Sequence, residues 1–106
     1  MNLLGSIKKS ISKRRYNISL HARREMSSEE DNISENELIE VILNGEIIED
    51  YPDDRPFPSC LVFGKTKKGR PIHIVCAYSE DDDITVVITT YEPDPSRWID
   101  YKRRIR

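Results

Sequence analysis

Two histidines and one arginine–aromatic segment are the parts of this chain best suited to chemistry. His21 stands in Ser19-Leu-His-Ala-Arg-Arg24, close to Arg23 and Arg24. An imidazole beside guanidinium groups suits proton transfer next to a phosphate, because histidine exchanges its proton near neutral pH and arginine offsets the developing charge. The alternative is a helix histidine whose ring nitrogen bonds a nearby carbonyl. His73 lies mid-strand, on the face opposite the stripe of Ile72, Ile74 and Cys76. If that stripe packs on helices, His73, Thr85, Thr89 and Tyr91 share an open face suited to RNA; otherwise His73 is a polar strand residue on a solvated face. In Tyr91-Glu-Pro-Asp-Pro-Ser-Arg-Trp98 two prolines hold the backbone extended and aim Arg97 and Trp98. Arginine with aromatics suits phosphate and base. The alternative for Trp98 is closure of the core edge.

The charge pattern bears on the same question. Net charge is −2, but the signs are segregated. Residues 29–54 carry 11 acidic side chains and no basic one. The bases gather at Lys8–Arg15, at Lys65, Lys67, Lys68 and Arg70, and at Arg97, Lys102, Arg103, Arg104 and Arg106. Local basic surface can attract phosphate whatever the net charge; solvated charge on ordinary faces is the competing account. No phosphate-binding glycine loop, HExxH, nucleophile elbow or EF-hand loop is present. Two cysteines, Cys60 and Cys76, sit in apolar runs without a CxxC or Cys/His cluster, so we expect free thiols and no metal site. No apolar run nears the roughly 20 residues of a membrane span. A cytoplasmic location and no membrane partner are expected.

These residues need elements to hold them. At 106 residues the chain is the size of one domain. Leu3, Leu4, Ile7 and Ile11 give a short helical face, and 1–15 reads as an N-terminal helical extension of a single domain spanning 16–106. Tyr16-Asn-Ile18 is a brief strand or an extended lead-in. Ser19 caps a helix running to about residue 30. Ser34-Glu-Asn-Glu37 is a capping box opening a helix that stops at Asn44-Gly45, where the glycine can take a left-handed conformation. Strands are predicted at 46–51, 59–65, 71–78 and 84–91, and a last helical turn at 96–101. The fold class is α+β: two or three N-terminal helices packed on one face of a four-stranded antiparallel meander sheet.

Tyr16-x-Ile-Ser-x-His-Ala-Arg, Met26, Ile33-Ser34, Asn44-Gly-Glu-Ile-Ile-Glu49, Gly69-Arg-Pro-x-His73 and Ile88-Thr-Thr-Tyr91 together resemble a domain-of-unknown-function family of small prokaryotic proteins, itself distantly similar to RelE/ParE-type toxins and other metal-independent ribonucleases. The resemblance covers roughly 16–102. It implies a RelE-like fold, functional positions at His21, Thr89 and Tyr91, and an antitoxin protein as partner. The expectation is a toxin-like endoribonuclease cleaving RNA by 2′-OH attack, with neither metal nor cofactor. The catalytic candidates are His21, His73, Tyr91 and Arg97. Arg24, Lys67, Lys68, Arg70, Thr89, Trp98, Arg103 and Arg104 are the candidates for RNA contact. The alternative is a non-catalytic RNA- or protein-binding module of the same fold.

Overall fold

The computed structural model describes residues 2–105. Helix α1 (Leu3–Ser12) is capped by Asn2, whose side chain accepts from the Gly5 amide. Strand β1 (Tyr16–Ile18) follows. Helix α2 (Leu20–Met26) starts at Ser19, whose Oγ accepts from the Ala22 amide at 3.0 Å. It stops at Met26 rather than near residue 30. The Ser28 hydroxyl donates to the Glu25 carbonyl and accepts from the Asp31 amide, so a side chain takes over bonds that a longer helix would need.

Helix α3 (Glu35–Asn44) carries the capping box in full: Ser34 accepts from the Glu37 amide, and Glu37 accepts from the Ser34 amide. Gly45, which ends it, is not left-handed; its φ is −82°. The glycine is needed for space instead. A Cβ there would lie 2.6 Å from the Val41 carbonyl oxygen and 2.7 Å from Val62 Cγ1.

The strands β2 (Glu46–Tyr51), β3 (Ser59–Lys65), β4 (Pro71–Ser79) and β5 (Ile84–Tyr91) form the antiparallel meander. The sheet itself is five-stranded and mixed, in the order β1-β5-β4-β3-β2, because β1 pairs in parallel with β5. This corrects the four-stranded antiparallel expectation. With β1 alongside, β5 is an inner strand. The segment 96–101 is also not a helical turn. It enters β6 (Trp98–Ile99), which pairs antiparallel with β7 (Arg103–Arg104) in a separate small hairpin.

Three layers result. All three helices cover one sheet face, where Ile7 and Ile11 of α1, Ala22 and Met26 of α2 and Leu38, Val41 and Ile42 of α3 meet Val62, Ile72, Ile74, Cys76 and Val87. Helix α1 therefore supplies part of the one main core. Cys60 and Cys76 face each other across β3 and β4, and both are free and buried. On the other face, Phe63 and His73 lie under residues 92–105, which fold back across the sheet and bury Trp98. No helix is long and apolar enough to cross a membrane among the described residues.

Candidate functional site

The two histidines have opposite surroundings. His73 is 0% exposed. Its Nε2 lies 2.6 Å from the Tyr101 carbonyl oxygen, and its Nδ1 3.2 Å from the Tyr91 hydroxyl. A carbonyl can only accept, so Nε2 carries the proton and Nδ1 accepts from the Tyr91 hydroxyl. The ring is thus the neutral Nε2–H tautomer. Trp98 stands edge-on to it at 4.4 Å between centroids, with Phe63 and Tyr91 on other sides. Burial pushes the imidazole below its ordinary value, against the Tyr101 carbonyl and Glu49, which favour the charged form. The expected open face is therefore covered, and both ring nitrogens are engaged.

Nor is Thr85 on that face. The ladder pairs His73 with Tyr91 and Val75 with Thr89, but then Cys76 with Val87. The bulge adds one residue on β5 and reverses its alternation, so Thr85 falls on the helix side. There it is buried, and its amide donates to Ser10 Oγ of α1.

His21 is exposed on α2, with 69% of its side chain open to solvent. Its Nε2 lies 3.3 Å from Glu25 Oε1, one helical turn on. That same oxygen is held by the sheet: Oε1 also accepts from the Thr89 hydroxyl and, at 3.1 Å, from the Thr90 amide. An imidazole, a fixed carboxylate and the end of β5 thus form one connected set. Two residues beyond Thr89, burial foremost raises the Tyr91 pKa, against the opposing charge of Arg104 and with smaller help from Glu49 and Glu25. The phenol is a proton donor at neutral pH.

Beside it opens a cleft of about 620 Å³ lined by Tyr91, Asp94, Arg97, Trp98 and Arg104 among others. The structure so brings together Tyr91, Arg97, Trp98 and Arg104, with His73 directly behind Tyr91, and links His21 to Thr89 through Glu25. Trp98 is only 6% exposed and packs edge-on against His73 on the sheet face away from the helices. Arg104 stacks 4.7 Å above its ring and grips Glu49 through Nε at 2.8 Å and a terminal nitrogen at 3.1 Å. Glu49 also accepts from the Tyr51 hydroxyl, whose pKa is pushed up to about 12 chiefly by burial and by that carboxylate.

Arg70 is similarly occupied, with Glu92 at 2.7 Å, Glu37 at 3.4 Å and the carbonyls of Asn32 and Asp31 as partners. It fastens the β3–β4 turn to the end of β5 and the loop before α3. Lys67 and Lys68 are exposed in that turn, away from the cleft. Arg24 is exposed on α2, and Arg103 lies on a second cleft with Ile48, Glu49 and Lys102. Among the described residues, no three His, Cys, Asp or Glu side chains are placed to hold a metal ion.

A family model described as Domain of unknown function (DUF4258) matches residues 18–92. The chain belongs to the DUF4258 family. The match contains the His21–Glu25–Thr89 set and both residues of the His73–Tyr91 bond, and it ends where the covering segment begins. No curated protein and no solved structure matches the chain.

Sequence reasoning passed over Glu25 and Glu49 as functional positions. The i, i+4 spacing of His21 and Glu25 was a usable signal. Nothing local could reveal Glu49, whose partner Arg104 is 55 residues away.

Proposed function

We propose that this DUF4258 protein is a metal-independent endoribonuclease of the toxin type, with its reacting centre where α2 meets the end of β5. One observation carries the reading: the exposed His21 imidazole is backed by a carboxylate that the Thr89 hydroxyl and the Thr90 amide hold in place. Such a group can take the proton from a 2′-OH while Glu25 fixes the ring. The 2′-oxygen then forms its bond to phosphorus as the bond to the 5′-oxygen breaks. Tyr91, kept protonated by burial, supplies the proton to the leaving 5′-oxygen. Arg97, exposed in the cleft beside Tyr91, faces the phosphate charge. His73 accepts that hydroxyl hydrogen in the resting protein; in the cleavage step the hydrogen leaves His73 Nδ1 for the 5′-oxygen, and the tyrosinate regains a proton from water.

The binding-module alternative has its own support. Arg70 and Arg104, two of the candidates for RNA contact, are paired with Glu37, Glu92 and Glu49, which favours a protein partner over RNA for that module.

The test is cleavage of end-labelled RNA by pure protein in excess chelator. We expect cut products with 2′,3′-cyclic phosphate ends and resistance where deoxyribose replaces ribose at the cut. His21→Ala should lower the rate by roughly 10²–10⁴-fold with the fold intact. RNA left whole after prolonged incubation, with retention on a filter, would establish the binding module instead. An antitoxin partner belongs to the same reading, and growth arrest on overexpression of the wild type but not of His21→Ala is its cellular counterpart.

A further inference from the structure

The segment 92–105 lies on the sheet in an unusual way. Its backbone–backbone bonds close within itself: Arg97 to Asp94, Lys102 to Ile99 and Ile105 to Arg97, besides the β6–β7 pairing. It forms no ladder with the five-stranded sheet. What holds it down is a short series of side-chain contacts and one carbonyl. Trp98 seats on His73, the Tyr101 ring stacks on Phe63 at 6.2 Å, and the Tyr101 carbonyl accepts from His73. Lys102 reaches Glu46 at 2.9 Å, and Arg104 grips Glu49.

Most of this strap faces water. Ile99, Asp100 and residues 102–105 are exposed, so its ion pairs act in high dielectric, where such pairs contribute little. Its turn places two non-glycine residues in the left-handed region, Asp100 at φ 52° and Tyr101 at φ 63°. The DUF4258 match stops at residue 92, so the strap lies outside the region that the family model describes. The surface beneath it is the reverse: paired within the sheet and chemically particular. It offers an aromatic slot between Phe63, His73 and Tyr91, a buried imidazole N–H directed at a carbonyl, and two carboxylates along β2.

We propose that this sheet face is a docking surface for an extended segment of a partner protein bearing an aromatic anchor followed by basic residues, and that the strap is its resident occupant. The strap's contacts define the partner. A Trp-like side chain fills the slot, a backbone carbonyl meets His73, and Lys or Arg four and six positions on pair with Glu46 and Glu49. A partner segment of this chemistry displaces the strap and reuses each contact, while the main core under the helices stays intact. The strap carries Arg97 and the slot includes His73 and Tyr91, so displacement would also alter the cleft proposed for RNA; peptide binding is read without RNA, and its outcome is therefore separate from that of the cleavage assay.

The experiment uses full-length protein and a fluorescent peptide with the sequence of residues 96–105. Binding is read by anisotropy against wild type and against Arg104→Glu, which weakens the strap's own hold on Glu49. The variant is expected to bind the peptide at least tenfold more tightly than wild type. Adding Glu49→Lys, or replacing the peptide's Trp by Ala, should abolish that gain. Hydrogen exchange on wild type gives a reading free of any mutation: the Lys102 and Ile105 amides should exchange at least a hundredfold faster than those of β3 and β4. Equal peptide affinity for the variant and wild type overturns the proposal, as does strap exchange as slow as that of the sheet. A wild-type dimer in sedimentation that Glu49→Lys dissociates also overturns it, by assigning the surface to a second copy of this chain.

Discussion

His73 and His21 show how one residue type acquires two roles from its surroundings. His21 stands in water beside Glu25, with 69% of its side chain exposed. His73 is sealed among Phe63, Tyr91 and Trp98 with its proton committed to the Tyr101 carbonyl. Its depressed pKa makes it a stability element with a definite pH dependence. An unfolded imidazole binds a proton near pH 6.5 or so, whereas the buried one resists until lower pH. The unfolded state then holds more protons, so stability falls as pH drops below about 6.5 and levels off beneath the folded pKa. The lowered carboxyls of Glu37 and Glu49 lose their contributions at more acidic pH, below about 4.3. Urea unfolding from pH 8 to pH 5 should show this first decline in wild type. His73→Asn, if folded, should show a flat profile over that interval. An equal slope in both proteins would place the titrating group elsewhere.

At the scale of elements, α3 and β3 approach more closely than ordinary side chains permit. A Cβ on Gly64 would sit 2.7 Å from the Val41 carbonyl oxygen and 2.8 Å from Asn44 Oδ1. Both belong to α3, and one is backbone, so the helix must shift to make room. Asn44 also donates to the Lys65 carbonyl at 3.1 Å, tying the helix end to the strand. Gly64→Ala should destabilise the protein by roughly 1–3 kcal/mol, as overpacking does. The check is the urea midpoint with the slope unchanged. A neutral result would mean that the close approach has slack. The α2–β5 contact works on the same scale: Glu25 bridges the helix to Thr89 and Thr90, and so fixes α2, with His21 on it, against the end of β5.

For the whole molecule, the main question is how α1 relates to the rest. Ile7 and Ile11 are buried in the same cluster as Leu38, Ile74 and Val87. The Ser10 hydroxyl donates to the Arg15 carbonyl and accepts from the Thr85 amide, so helix and sheet share polar contacts as well. Lys13 and Arg15 pair with Asp83 at the far end of β5. Ile11→Ala should therefore cost about 2–5 kcal/mol, the range for removing a large buried aliphatic side chain. The loss should appear in one cooperative transition seen alike by circular dichroism and Trp98 fluorescence. Two separated transitions would show instead that α1 unfolds as a unit of its own.

The elements were largely legible because their signals are local. Asn44-Gly45 stops a helix, Ser34 and Glu37 cap one three residues apart, and alternating apolar residues mark each strand. So the three helices, the four-strand meander and the free cysteines could be read from the chain, as could the family that His21-Ala-Arg23 and Asn44-Gly-Glu-Ile-Ile48 point to. Three features required the tertiary structure. The pairing of β1 with β5 joins residues about 70 positions apart, and a three-residue strand carries too little pattern to name its neighbour. The bulge on β5 reverses which side Thr85 faces, and a strict period of two cannot register one inserted residue. The third is the covering of His73. Alternation correctly placed it opposite the helices, but whether that face meets water depends on where residues 92–105 run. Their course is decided by contacts of Trp98 with His73 and of Arg104 with Glu49, between side chains far apart in the chain.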